Sequence, residues 1–511
     1  MCRQWVTSGY IGGPLDPAPA AARATRDNRD MRSVDESALG DLVAARLGAR
    51  GKVDENDKRG EIGLVGAGGE NPPMVVAAGN FASPLVALSA LDRAVERYRL
   101  FVLNPQVGLP ERPGVIPVTP FVGPGMRGRP ALEYLPSRLG LVPRLFTGGY
   151  RPDVVVLHTS RPVGGRLSMG TEVNILPAAV RAARATGGLV IAQINPRMPY
   201  TFGDGELDTA SVDLAIEVDM PLVSPTPHPP DDIHQEIGAR VAALVPDGAT
   251  LQLGIGTVPD ATLAALTGRR GLRVWTETFS DGLLALDQAA ALDRHAPIVS
   301  SFVFGSQQLY GWLDRNERIR FLRTETVNDP AVIARQPLMT SINTALQVDL
   351  HAQANASYVR GRIWSGFGGQ PDFVTGALHA ADGQAIIALP SWHARSASST
   401  IVAALSEPTT SFQHSHVVSE HGVADIWGSS LRQQADELIR NVAHPDARDA
   451  LAATFADTHT DARGGARADV HSGARAEADR PRPSASAPQQ SASRSTTGAS
   501  ASAVAPSGVE K

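Results

Sequence analysis

Short apolar or β-branched runs alternate with stretches of helical spacing along most of the chain. Between Val65 and Val223 they read MVVAAG, SPLVALSALDRAVERY, RLFVLN, DVVVLH, EVNILPAAVRAARATG and GLVIAQIN. Apolar positions recurring at helical spacing mark one buried helix face, whereas unbroken Val/Ile/Leu runs suit strands covered on both sides. This βαβ rhythm predicts an open, mostly parallel α/β sheet with helices on both faces. The segment Pro221 to Asp232, PLVSPTPHPPDD, interrupts it and reads as a linker. The rhythm then resumes through IHQEIGARVAALVPDG, ATLQLGIG, PDATLAALTG, LRVWTE, DGLLALDQAAALD and APIVSSFVFG. Two consecutive α/β domains are therefore expected, at 34–226 and 227–453.

The ends behave differently. Residues 1–33 mix Gly, Pro, Ala, Arg and Asp without a sustained period and read as a disordered leader. From Val34 the run SALGDLVAARL has helical spacing, with Asp35 or Ser37 available as N-cap. Beyond residue 453 the chain has almost no large apolar side chain to offset its ordering entropy, so 454–511 is expected to be a disordered tail.

Composition narrows the chemistry. The 511 residues are 42% hydrophobic, enough for large cores, and the formal net charge of -5 offers no basic face to nucleic acid or a membrane surface. No apolar run approaches the ~20 residues of a spanning helix, and the N-terminus lacks the pattern of a signal peptide, so a cytoplasmic location is expected. The single cysteine is Cys2, which argues against disulfides, thiolate metal sites and a cysteine acyl-enzyme. Lysine occurs only at Lys52, Lys58 and Lys511, so the expected cores offer none for a Schiff base or a phosphate-binding loop. A covalent mechanism would need a carboxylate or hydroxyl nucleophile.

Three motif-like features carry little. GAGGEN lacks the third glycine of a dinucleotide fingerprint and is followed by proline. Ser168, in RLSMG, lacks the first glycine of a nucleophile elbow. His393, His414, His416 and His421 have neither the spacing of a zinc motif nor cysteine support; they read as structural, and no metal site is expected.

The informative stretch is VWTETFSDG, with Glu277 following a short strand signal. LQLGIGTVPDA precedes it and WSGFGGQPDF follows. Gly254 and Gly256 end a strand signal, and Pro259 sits near the first turn of a helix, so backbone amides could face an anion or carbonyl oxygen. A tight βα turn explains those glycines equally well. Gly366, Gly368 and Gly369 permit close backbone approach and could supply an oxyanion hole. Taken alone, Glu277 reads as a solvated strand-end carboxylate. With an ordinary acidity near 4.3 it would be ionised at neutral pH and need no base, while depending on positioning and amides to act as a nucleophile.

The ordered runs LQLGIGTVPDA, WTETFSDG, FGSQQLYGWLDRN, TVNDP, MTSINTALQVDL, WSGFGGQPDF and VVSEHGVADIWG resemble the acetyl-CoA hydrolase/transferase family, class I CoA-transferases that include 4-hydroxybutyrate and acetate CoA-transferases. In the first half FVGPGMRG, SMGTEVNILPAA and AQINPRMPYTFGDG extend the resemblance. It implies two CoA-transferase domains in which Glu277 is the nucleophile, forming an acyl-glutamyl anhydride and then a glutamyl-CoA thioester. It also implies that Gln252, Leu253, Gly254, Ile255 and Gly256 contact CoA, and that Gly366, Phe367, Gly368 and Gly369 lie near the thioester oxygen. Asn343 and Glu420 would line the site and orient the nucleophile. A second TET tripeptide is followed by VNDP instead of FSDG, which makes Glu325 a decoy.

Many members carry a lysine after ALPS and an arginine before the following IV, where this chain has Ala394 and Thr400; Arg395, one place along, is the candidate replacement for the lysine. The resemblance implies acyl-CoA and a small carboxylate as substrates, with no permanently bound cofactor. It leaves acyl-CoA hydrolysis open as an alternative, and a non-catalytic CoA-binding regulator as an alternative of another class. A homodimer is the expected assembly.

Overall fold

The computed structural model describes residues 31–51, 72–225, 229–409 and 411–464. The leader up to residue 30, all three lysines, Cys2, GAGGEN and the tail beyond 464 lie outside the described residues. The compact unit Met1–Phe455 carries both sheets and the site described below.

The expected βαβ rhythm becomes two sheets. The first has eight strands, all paired in parallel, in the spatial order Arg32–Ser33, Leu214–Glu217, Leu189–Ile194, Val154–Thr159, Met74–Ala77, Tyr98–Val102, Val115–Thr119 and Glu133–Tyr134. Its central strands are buried along their whole length, as unbroken runs such as VVVLHT require of a sheet covered on both faces. The second has nine strands, in the order Gly422–Asp425, His416–Ser419, Gln384–Ala388, Met339–Thr344, Thr250–Leu253, Arg273–Trp275, Ile298–Ser300, Ile319–Phe321 and Phe202–Gly203. Only the hairpin His416–Ser419/Gly422–Asp425 is antiparallel there.

Both sheets follow one wiring rule. Setting aside the edge strands Arg32–Ser33 and Phe202–Gly203, the chain enters at Met74–Ala77 or Thr250–Leu253, adds its next strands to one side, then crosses to the other side with Val154–Thr159 or Met339–Thr344. Each entry strand therefore sits where strand order reverses, and a crevice opens beyond its C-terminal end. No sequence repeat announces this common topology.

Helices cover the sheets as the periodicity implies. Leu85–Ala94 and Leu176–Ala185 fall within the predicted stretches, and Asp232–Leu244 starts one residue before its own, on the last residue assigned to the linker. Asp35 is the cap of the first helix, its Oδ1 accepting from the Ala38 amide at 2.8 Å. Among the described residues no helix is long and apolar enough to cross a membrane.

The structure corrects the expected boundaries in three places. Arg32 and Ser33, assigned to the leader, pair with Leu214 and Ala215 because the parallel edge offers free backbone groups. Phe202–Gly203, from the first half, adds to the edge of the second sheet beside Arg320 and Phe321. At the other end the helix Pro445–Gly464 runs past residue 453, anchored by Leu451 and Phe455, one helical turn apart and both buried.

Candidate active site

A cavity of about 430 Å³ lies where the two switch points meet. The first half contributes Asn80, beyond Met74–Ala77, and Leu103 and Asn104, beyond Tyr98–Val102. From the second half come Gln252 to Ile255 beyond the entry strand, Glu277 beyond Arg273–Trp275, and Asn343 near the end of Met339–Thr344. Trp364 to Gln370 closes one wall. Residues far apart in the chain converge because each ends a neighbouring parallel strand.

Glu277 occupies a bend between Arg273–Trp275 and Thr278–Phe279 that is fixed from both sides. Its carbonyl accepts from the amides of Ser301 (3.0 Å) and Phe302 (3.2 Å) and from Ser300 Oγ (3.1 Å). Thr276 Oγ1 lies within hydrogen-bond distance of the carbonyls of Leu253 (3.1 Å) and Thr278 (2.8 Å), tying the bend to the glycine turn. The Glu277 carboxylate accepts at Oε2 from Asn328 Nδ2, 2.9 Å away, and the Gly369 amide also donates to it. A side chain at Gly369 would collide with it: a β-carbon there would be 1.7 Å from Oε2.

The ordinary acidity expected for Glu277 does not survive folding. Burial removes water from its charged form, and the nearby carboxyl of Asp372 adds like charge; together these outweigh the two hydrogen bonds and push its pKa up to about 7. A more basic carboxylate is a better nucleophile, at the cost of being about half protonated at neutral pH.

Gln252, Leu253, Gly254, Ile255, Asn343, Gly366, Phe367, Gly368 and Gly369 all line the cavity with Glu277. Gln252 and Asn343 form a reciprocal pair: Asn343 Nδ2 donates to Gln252 Oε1 (3.1 Å) and Gln252 Nε2 to Asn343 Oδ1 (3.3 Å), while Ser341 Oγ donates to Gln252 Oε1 (2.6 Å). The expectation that the glycine turn offers free amides is corrected at Gly254, whose N–H donates to the Ile342 carbonyl at 3.3 Å as part of the sheet. Gly256, at φ 119°, starts the helix Thr257–Ala265 and is not among the cavity-lining residues.

Besides Gly256, two predicted residues are not brought to the cavity. Glu420 accepts from the amide and the hydroxyl of Ser391 rather than touching Glu277. Arg395 is exposed on the hairpin Trp392–His393/Ser398–Ser399. Glu325, read as a decoy, pairs with Arg181 at 3.1 Å and is not among the cavity-lining residues. His416 lies 3.4 Å from Asp425 and His421 3.6 Å from Glu420, while His414 is buried edge-on to Phe412.

Sequence reasoning missed several residues around Glu277. Asn328 lies inside TVNDP, a run that marked family order but received no role. It follows the short helix Thr324–Val327, whose Val327 carbonyl is held by Trp275 Nε1 at 2.9 Å, two residues before Glu277. Asn80, left-handed at φ 44°, donates to both oxygens of the buried Glu172 (2.8 and 2.7 Å) and accepts from Asn104 Nδ2 (2.7 Å). Thr278 Oγ1 and Gln370 Nε2 are buried without a protein partner, and both residues line the cavity.

Two open, mostly parallel sheets meeting at their switch points over a hemmed-in carboxylate define a two-sheet α/β scaffold with a buried glutamate at a cavity between its halves. The chain belongs to the acetyl-CoA hydrolase/transferase family. The family's C-terminal domain, described as "Acetyl-CoA hydrolase/transferase C-terminal domain", matches residues 305–455. The chain is 36% identical over 334 residues to a succinyl-CoA:acetate/propanoyl-CoA:succinate CoA transferase of Fasciola hepatica, covering 62% of this chain and 69% of that protein. It is 35% identical over 335 residues to a 4-hydroxybutyrate coenzyme A transferase of Clostridium kluyveri, covering 63% and 77%. The crystal structure of a 4-hydroxybutyrate CoA-transferase from Porphyromonas gingivalis superposes with a TM-score of 0.64 at 31% identity, covering 76% of this chain and 94% of that one.

Proposed function

We propose that this protein moves CoA between an acyl-CoA and a small carboxylate through covalent intermediates on Glu277. The observation that carries the reading is the Glu277 carboxylate itself, held by Asn328 and Gly369 at the wall of a cavity shared by both halves. Ionised Glu277 attacks the thioester carbon of the acyl-CoA, giving an anhydride and CoA thiolate. The thiolate then attacks the glutamyl carbon, releasing the first carboxylate and leaving a glutamyl-CoA thioester. The incoming carboxylate repeats these steps in reverse.

Charge on the substrate's acyl oxygen needs donors other than those holding Glu277. The unpartnered Thr278 Oγ1 and Gln370 Nε2 fit that role, being buried in residues that line the same cavity. The Gln252–Asn343 pair supports a stiff wall on the CoA side. We extend the reading to a cytoplasmic homodimer acting on soluble substrates, with no resident cofactor.

Incubating the purified chain with acetyl-CoA and a panel of small carboxylates, with mass spectrometry of the products, tests this. New acyl-CoAs that vanish in Glu277→Ala support transfer. Free CoA as the sole product supports the second reading, hydrolysis, which the family's description also names. Transfer that survives Glu277→Ala overturns both.

A further inference from the structure

We propose that the buried carboxylate of Glu172, acting through Asn80, is the positioning residue that restricts the acyl end of the cavity to groups without a second negative charge. The substrates are then monocarboxylic acids and their CoA esters, with dicarboxylic acids such as succinate disfavoured. The inference rests on the covalent reading above and names the substrate class of that same site.

The cavity has a mouth and a floor. Ile255 and Trp364 stand exposed at its rim, while Asn80, Leu103 and Phe302 are buried. The charged nucleotide of CoA is costly to take out of water and stays at the rim, so the acyl group points to the buried end. Among the described residues that line the cavity there is no arginine, lysine or histidine. A second carboxylate on the acyl group therefore meets no cation there, and its desolvation goes uncompensated.

Behind the floor lies a charge of the wrong sign. Glu172 is 2% exposed and sits directly behind Asn80, whose Nδ2 donates to both of its oxygens at 2.8 and 2.7 Å. Asn174 Nδ2 donates to Oε1 at 2.7 Å. All three contacts bring N–H groups, which an ionised carboxylate accepts and a protonated one cannot fully use. Burial still pushes the pKa of Glu172 up to about 7, so the anion is the main form above neutrality.

The anion also decides what the floor shows to a ligand. Asn80 has its side-chain nitrogen drawn back to Glu172 and its backbone N–H donating to the Leu103 carbonyl at 3.2 Å. Its Oδ1 is the polar atom turned away from Glu172, where it accepts from Asn104 Nδ2 at 2.7 Å. An amide oxygen accepts hydrogen bonds and repels a carboxylate, so the charge of Glu172 acts both directly and through the orientation of Asn80. The junction of the halves keeps this floor beside the reacting glutamate. Glu172 bridges to Phe302, the Val303 amide donates to the Thr171 carbonyl at 2.9 Å, and the Phe302 amide donates to the carbonyl of Glu277.

The test follows CoA transfer from acetyl-CoA at about pH 8 to butyrate, succinate and succinamate, the last carrying a neutral amide in place of the second carboxylate of succinate. Wild type is expected to favour succinamate over succinate by about 100-fold in kcat/KM. Glu172 can escape the repulsion by taking a proton, which about one pH unit above its pKa costs about tenfold, so its own share of the ratio is about tenfold. Glu172→Gln, neutral and of the same shape, is therefore expected to cut the ratio about tenfold, whereas a merely structural loss would lower both rates and leave their ratio. Should Glu172→Gln not fold, the wild-type ratio still decides, and Glu172→Ser is read in the same way. Wild type that uses succinate within about threefold of succinamate, refusal of both included, overturns the restriction by charge. A folded variant with the wild-type ratio overturns the role of Glu172. Absence of transfer to any carboxylate, butyrate included, sinks the covalent reading and this inference with it.

Discussion

A β-carbon on Gly369 would stand 1.7 Å from Oε2 of Glu277 and 2.3 Å from the side-chain nitrogen of Asn328. Glycine is required here by contact with the Glu277 carboxylate, since its φ of -95° is open to any residue. Gly369→Ala is expected to lower kcat by about 100-fold or more, because displacing a reacting group by about 1 Å costs roughly that much. Circular dichroism should remain that of a folded protein. Turnover within about threefold of wild type would show that the carboxylate does not need this position.

Glu277 sets an acid limit on activity. In the proposed mechanism its attacking form is the carboxylate, and the folded-state pKa is pushed up to about 7, so kcat/KM should rise as pH increases through that value. Glu277→Gln should be inactive across the whole range. A limb near 4.5 in the wild type would mean that water reaches the carboxylate freely.

Glu420 is expected to act on CoA binding through Ser391. Both Glu420 oxygens accept from Ser391, which opens the hairpin carrying Arg395. Glu420→Gln should destabilise the protein by about 1 to 3 kcal/mol through impaired hydrogen bonding, and raise the KM for acyl-CoA. The glutamyl-CoA adduct should still form; its loss at saturating acyl-CoA would restore Glu420 as a residue that orients the nucleophile.

Stability should carry the mark of His414. It is buried without a partner, and the cost of charging it there lowers its pKa to about 3, well below the ordinary value of 6.5. Between those values the unfolded chain takes up a proton that the folded chain refuses, so stability is lost as pH falls below 6.5. His414→Leu removes this linkage, and its stability relative to wild type should improve by about 2 kcal/mol between pH 7 and pH 5 in paired thermal melts. A gap that stays constant with pH would mean that His414 takes up its proton in the folded state.

The alternation of apolar runs and helical spacing was enough to predict two parallel α/β sheets, because burial on both faces leaves a local signature in each strand. The glycine turns and the glutamate between them were legible for the same reason, as short motifs in a fixed order. Asn328 and Asp372 were not, although both lay in motifs already singled out. Their roles depend on two helix ends meeting a strand end 51 and 95 residues away from them in the chain.

The sequence by itself determined which elements form, the residue type at position 277 and the family to which the chain is similar. Tertiary structure alone decided that Glu277 is weakly acidic, that the Gly254 amide is already taken, that Glu420 reaches Ser391, and that the two sheets share one wiring. Acidity and hydrogen-bond partnership are sums over whatever surrounds an atom in space, and those surroundings come from both halves of the chain. A local pattern can encode a strand, but the desolvation of one carboxylate is set by every residue that displaces water from it.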